Sequence, residues 1–179
     1  MRTALETTFA EVDAWFDKPP PLRAQRPSTG GWTVDEVLEH ITLTSHFLLI
    51  VIRNSTRKAR RRAAAGAVIA AGESDLELLE PIAQRGSFSW SRPEHMVPTG
   101  KPASAEVRQR MREQLQEGLD LLDSLAHGEG SLFHVRMSVH DSGKLDVYQW
   151  LYFLAQHARR HIAQMEENER EGMDLGSTR

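Results

Sequence analysis

Cysteine is absent from all 179 residues. Without a thiol there is no disulfide framework, no thiolate ligand and no cysteine nucleophile, so a bound metal would have to rely on histidine, aspartate or glutamate. Long apolar runs are absent too. Nothing approaches the roughly 18–20 consecutive residues that a membrane-spanning helix needs, and no membrane segment is expected. An excess of positive charge is also missing. A net charge of −3 and a pI near 6.2 argue against a nucleic-acid partner, because the phosphate backbone is gripped by a basic surface. The one basic cluster, "RKARRR" at residues 57–62, reads as solvated side chains near a helix C-terminus. The opening "MRTALETTFAEVDAW" has neither a continuous apolar core nor a small-residue cleavage site. It does not read as a secretion signal, and a cytoplasmic protein is expected.

What is present suits one soluble domain over residues 1–179. Hydrophobic residues at 40% and charged residues at 26% are ordinary for a packed globular chain, and the length allows a full core without a second domain. Leu5, Phe9, Val12 and Phe16 recur at helical spacing and predict a first helix from about Thr3 to Phe16. The stretch "DKPPPLRAQRPSTGG" then stops it, since proline cannot continue a helix and the glycine pair lets the chain turn. Thr33 and Glu36 form a capping box for a second helix, with Trp32 placed to staple onto Val37. Its apolar stripe, from Val34 through Ile41 to Ile52, carries it to at least Ser55.

After Gly72 the pattern degrades. "SDLELLEPIAQRG" reads as a short helix, while "SFSWSRPEHMVPTGKPAS" holds too much Pro, Ser and Gly for a regular element. A connection this long between helices is unusual, so it is expected to cross the molecule and to cover an opening or carry function. Ser104 is the expected cap of a third helix, with Val107, Met111, Leu115, Leu122 and Leu125 on its buried side and Gly128 as its stop. "GEGSLFHVRMSVHDSGK" reads as irregular. Asp146 and Gln149 form a second capping box, Leu145 against Trp150 a second staple, and the fourth helix is predicted to run to about Glu171. The expected fold is an all-α four-helix bundle with one long crossover between its second and third helices.

Eight histidines carry the chemistry. On the fourth helix, "LAQHARRHIAQ" places His157 and His161 four residues apart, nearly one turn, on the stripe shared by Trp150, Leu154 and Met165. Two inward imidazoles need partners, and polar side chains, water or a metal would all serve. On the second helix His40 shares a ridge with Val37, Thr44, Phe47 and Val51, facing a neighbour. One histidine from one helix and an inward pair from another is a way for a bundle to build an internal metal centre. Three neutral imidazoles can hold zinc, nickel, manganese or iron and leave a position open. With no carboxylate among the ligands, the ion would keep its full charge and act strongly on a bound water or thiol. His46 falls opposite the apolar stripe and is expected in solvent. His134 and His140 precede the fourth helix, where they could line the mouth of a site. His95 in the crossover and His127 near the third helix's end are expected to be structural.

"GWTVDEVLEHI", "PTGKPASAEVRQRM" and "SLFHVRMSVHDSGKLDVYQWLYFLAQHARRHIAQMEE" resemble, in order, the signature regions of the DinB-like superfamily, which includes the YfiT-like proteins. The resemblance spans Trp32 to about Glu167 and is most specific in "QWLYFLAQHARRHIAQ". It implies a four-helix bundle whose metal ligands are one histidine on the second helix and two, four apart, on the fourth. Those positions are His40, His157 and His161 here. It also implies a homodimer, and an enzyme acting on a small electrophilic substrate with a low-molecular-weight thiol such as bacillithiol or mycothiol. The alternative is a non-catalytic bundle in which the ion is structural or sensed. The chain departs from the family in "HVRMSVHDSG", where proline and glycine are common, and that bears on the pocket mouth.

Overall fold

Four long helices pack around one aliphatic core in the computed structural model, which describes residues 1–28, 30–69, 74–87, 93–137 and 143–177. They are α1 (Arg2–Trp15), α3 (Val34–Ala64), α4 (Ser104–Asp123) and α5 (Val147–Ser177), with a short α2 (Pro20–Ala24) between the first two. α5 packs against both α1 and α3, and α4 closes the bundle against the same pair. Leu5, Phe9 and Val12 of α1 meet Val37, Ile41 and Ile52 of α3 and Leu151, Phe153 and Ile162 of α5 in the core. The all-α four-helix bundle and its long crossover are as expected. Among the described residues no helix is long and apolar enough to cross a membrane.

Both capping boxes form. Thr33 Oγ1 accepts from the Glu36 amide while Glu36 accepts from the Thr33 amide, and Asp146 and Gln149 reciprocate in the same way. Each box satisfies two backbone donors that helix geometry leaves without intrahelical acceptors. These caps fix where α3 and α5 begin, and therefore the phase of the face that carries each histidine.

Several boundaries differ from expectation. Ala103, not Ser104, is the N-cap of α4. The Ser104 hydroxyl instead accepts from Arg23, a buried residue that also bonds Asp35 and the Lys18 carbonyl. Arg23 thus ties the first inter-helix turn to the starts of α3 and α4. α4 ends at Asp123, before Gly128, which adopts φ +88 and leads into the 3-10 turn Glu129–Leu132. α5 continues past Glu171 to Ser177. The stretch expected to be a short helix is a 3-10 turn, Glu77–Ala83, whose Leu79 and Ile82 are buried. Within the segment expected to be irregular, β1 (Val135–Arg136) pairs antiparallel with β2 (Lys144–Leu145), placing Val135 opposite Leu145. The basic cluster is partly structural: Lys58 and Arg62 stand 4.9 and 5.0 Å from the Phe133 ring centre, and Arg62 donates to the Leu132 carbonyl.

Arg108 and Arg112 of α4 grip Asp13 of α1, and Arg108 also reaches Asp17. Hydrogen bonds from Arg108 and then Arg112 hold the Asp13 carboxyl far below its ordinary value of 3.8. A carboxylate depressed in the fold adds stability that is present above its unfolded pKa and drains away as pH falls toward the folded one. Asp13→Asn should therefore lower the melting temperature at about pH 6, and the gap from wild type should narrow steadily as the pH is taken from about 4 towards 2. Thermal melts of both proteins across that range check this; a gap that stays constant in acid would show that the Asp13 charge does not hold α1 to α4.

Candidate metal centre

His40 lies on α3 two turns after its cap, and His157 and His161 lie one turn apart on α5. All three are buried, at 5%, 3% and 9% exposure. Their candidate ligand atoms lie within 4.8 Å of one another. His157 Nε2 stands 3.2 Å from His161 Nε2, and the His40 ring centre is 5.3 Å from that of His157 and 4.7 Å from that of His161. Two nitrogens on one tetrahedral zinc, each about 2.0–2.1 Å from the ion, would be about 3.3–3.4 Å apart. The α5 pair already has that spacing.

The second nitrogens set the tautomers. His40 Nδ1 lies 2.7 Å from the Met96 carbonyl oxygen; that oxygen only accepts, so Nδ1 carries the proton and Nε2 the lone pair. His161 Nδ1 is 2.9 Å from Gln164 Oε1, which fixes its lone pair on Nε2 in the same way. Carbonyl and amide partners of this kind orient metal-binding imidazoles and raise their basicity. Burial, followed by the neighbouring histidine charges, pushes His157 well below its ordinary 6.5. His161 is pushed down to about 3, again chiefly by burial and then by His40. Both rings are therefore neutral at physiological pH, the state in which imidazole donates to a metal. Position suits a divalent ion, as do the tautomers of His40 and His161 and the neutral state of His157 and His161, and these three histidines could hold one.

The crossover is what closes the site. Glu39, next to His40 and only 5% exposed, accepts from the Thr99 amide at 2.9 Å, the Thr99 hydroxyl at 2.8 Å and the Gly100 amide at 2.7 Å. Adjacent residues of α3 therefore hold the crossover at two points, one bonding the chain at Met96 and the other at Thr99 and Gly100. The ring of Trp32 covers His40 at 4.7 Å. Beside the triad opens a cavity of about 660 Å³, with Trp150, Phe153, Met96 and Met137 among its apolar walls and Arg85 and Arg160 as its cations. That volume is in the range of small-molecule sites, about 300–1,000 Å³.

A family model described as the DinB superfamily matches residues 4–165. The chain belongs to the DinB superfamily. No curated protein and no solved structure matches it.

Within this DinB-superfamily chain the matched span includes His40, His157 and His161, and the fold brings these three together. The other described histidines stay apart from the site. His46 is exposed as expected, edge-on to Phe47. His95 is exposed with its ring centre 4.1 Å from that of Phe47, and His127 lies exposed beyond α4. His134 is exposed and is not part of the cavity wall, because the 135–145 pairing begins immediately after it; the expectation that it lines the mouth is not met. His140 lies outside the described residues. Four contributors escape sequence reasoning: the Met96 carbonyl, Glu39, Gln164 and the arginine pair. Of these only Gln164 has a local signal, standing three residues after His161 and so within reach on one helix face.

Proposed function

We propose that the histidine triad is a divalent-metal centre and that the protein is a metal-dependent transferase joining a low-molecular-weight thiol to a small electrophile. The observation that carries this reading is a triad of buried, converging histidines, two of them oriented by a carbonyl and a side-chain amide, on the wall of an open cavity. A purely structural ion has no use for an adjoining space of about 660 Å³, since structural sites are closed by their four ligands.

Zinc, nickel, manganese or iron would suit the imidazole donors. Bound there, the ion supplies Lewis-acid charge that lowers the pKa of a thiol presented at its open side. The chain's own residues do the rest. His157 and His161 arrive neutral and need lose no proton to solvent to bind. The Met96 carbonyl and Gln164 hold two of the three rings in place. Trp150, Phe153 and Met137 exclude water from one side of the cavity, where a desolvated thiolate is a better nucleophile. In the transfer, sulfur bonds to the electrophilic carbon, the displaced group leaves with the electrons of the broken bond, and the thiol proton passes to solvent.

Elemental analysis of protein purified without chelator or histidine tag should find divalent metal approaching one ion per chain. The same preparation should accelerate loss of free thiol in the presence of an alkylating electrophile, and chelation should abolish the acceleration. Metal present with no thiol consumption would favour a non-catalytic metal-binding bundle. Thiol consumption that survives complete metal removal would overturn the mechanism.

A further inference from the structure

The charged side chains among the described residues lining the cavity beside the triad are of one sign. Among its described lining residues, Arg85 and Arg160 are cationic, and there is no aspartate or glutamate. Arg160 lies on α5 between His157 and His161 and is half-buried. It donates to the Gln84 carbonyl. Arg85 pairs with Glu167, a residue outside the cavity wall. The two guanidiniums feel each other: burial and then the charge of Arg85 pull Arg160 below its ordinary value. Both charges also reach His161. A divalent ion on the histidines would concentrate still more positive charge on the same wall.

Such a wall is complemented by an anion, and the planar fork of a guanidinium matches the two oxygens of a carboxylate. Thr44 and Trp150, from α3 and α5, line the cavity and are 4% and 6% exposed, and among the described residues the Thr44 hydroxyl and the Trp150 indole N–H have no hydrogen-bond partner. A buried polar group left this way is destabilising.

We propose that the cavity is a binding site for a small organic carboxylate, its acid group on Arg160 and Arg85 and its apolar body against Phe153 and Trp150, alongside the histidine triad. The inference rests on the cavity being the substrate pocket of the reading above and adds the chemical class of what enters it. The acid belongs either to the electrophile or to the thiol co-substrate, and the two sources are separable.

Calorimetric titration with phenylacetate and with phenylacetamide, its uncharged counterpart, tests the proposal on both chelator-treated and zinc-loaded protein. The acid should bind at least about tenfold more tightly than the amide in both forms, and its affinity should fall as salt is raised. Arg160→Gln should erase the preference while the melting temperature stays in place. Arg85→Gln should also reduce it. Equal binding of acid and amide overturns the proposal, as does a preference unchanged in both variants; the salt dependence and Arg85→Gln keep the test open if Arg160→Gln folds poorly. With zinc bound, N-acetylcysteine favoured over N-acetylcysteamine supports an acid on the thiol. Indifference between those two, with the phenylacetate preference intact, supports an acid on the electrophile. An acid preference in a protein that binds no metal sinks the transferase reading and leaves this one standing, whereas metal binding without any acid preference does the reverse.

Discussion

His161→Ala protein should be purified free of stoichiometric divalent metal and should show no rise in melting temperature on adding zinc, while wild type shows both. The size of the effect follows from linkage. An ion present at about a thousand times its dissociation constant stabilises the fold by about 4 kcal/mol, which in a chain of this length is roughly 8–16 °C. With His161 gone, two imidazoles remain, too few to hold a labile ion at that concentration. The substitution itself is mild for the metal-free fold. Alanine is the strongest helix former, and the lost imidazole is uncharged, its polar contacts being those with Gln164 and His157. Melts of metal-free wild type and metal-free variant should therefore lie close together, and the difference should appear only with zinc. His46→Ala removes an exposed histidine from the same bundle and should leave both metal content and the zinc response untouched. A His161→Ala protein that keeps the wild-type complement of metal would reject the triad as the binding site.

The parts of this centre that were legible in the sequence are those written in side chains on regular helices. His157 and His161 share a face because four residues nearly complete a turn, and the Asp146–Gln149 box fixes where that face begins. His40 is placed by the Thr33–Glu36 box in the same manner. Capping residues and helical period are local, so they survive without knowledge of what packs against them. The closure of the site is different in kind. Met96 contributes a backbone oxygen, which every residue has and no sequence pattern marks. Glu39 looks like any polar helix residue; it is buried only because a segment 60 positions away folds back over it. Arg85 arrives on the crossover, whose path depends on tertiary contacts rather than on any period. The third-helix cap was misplaced for a related reason: Ser104 carries the right side chain for a cap, but Arg23, 81 residues earlier, takes its oxygen.

Glu39 should accordingly be as sensitive as a ligand, although it touches no other member of the triad's polar shell directly. Glu39→Ala leaves the Thr99 and Gly100 amides and the Thr99 hydroxyl without their shared acceptor. Hydrogen bonds to a charged group contribute about 1.5–3 kcal/mol each, and water readmitted to the loosened crossover recovers part of the loss. A net destabilisation of about 3 kcal/mol, roughly 6–12 °C, is expected. Glu39→Gln should do little better, because one of its two positions becomes a donor facing an amide that also donates. The more telling readout is zinc affinity. If the clamp at Thr99 and Gly100 is what keeps the Met96 carbonyl on His40, releasing it frees that imidazole to rotate and to change tautomer. Loss of an outer partner of this kind weakens metal binding by about 10–100-fold. Competition with a chromophoric chelator measures it, and nitrogen NMR of His40 in the metal-free protein reports the tautomer independently. A variant that melts lower but binds zinc as tightly as wild type, with His40 still protonated on Nδ1, would mean that the crossover stabilises the fold without orienting the site.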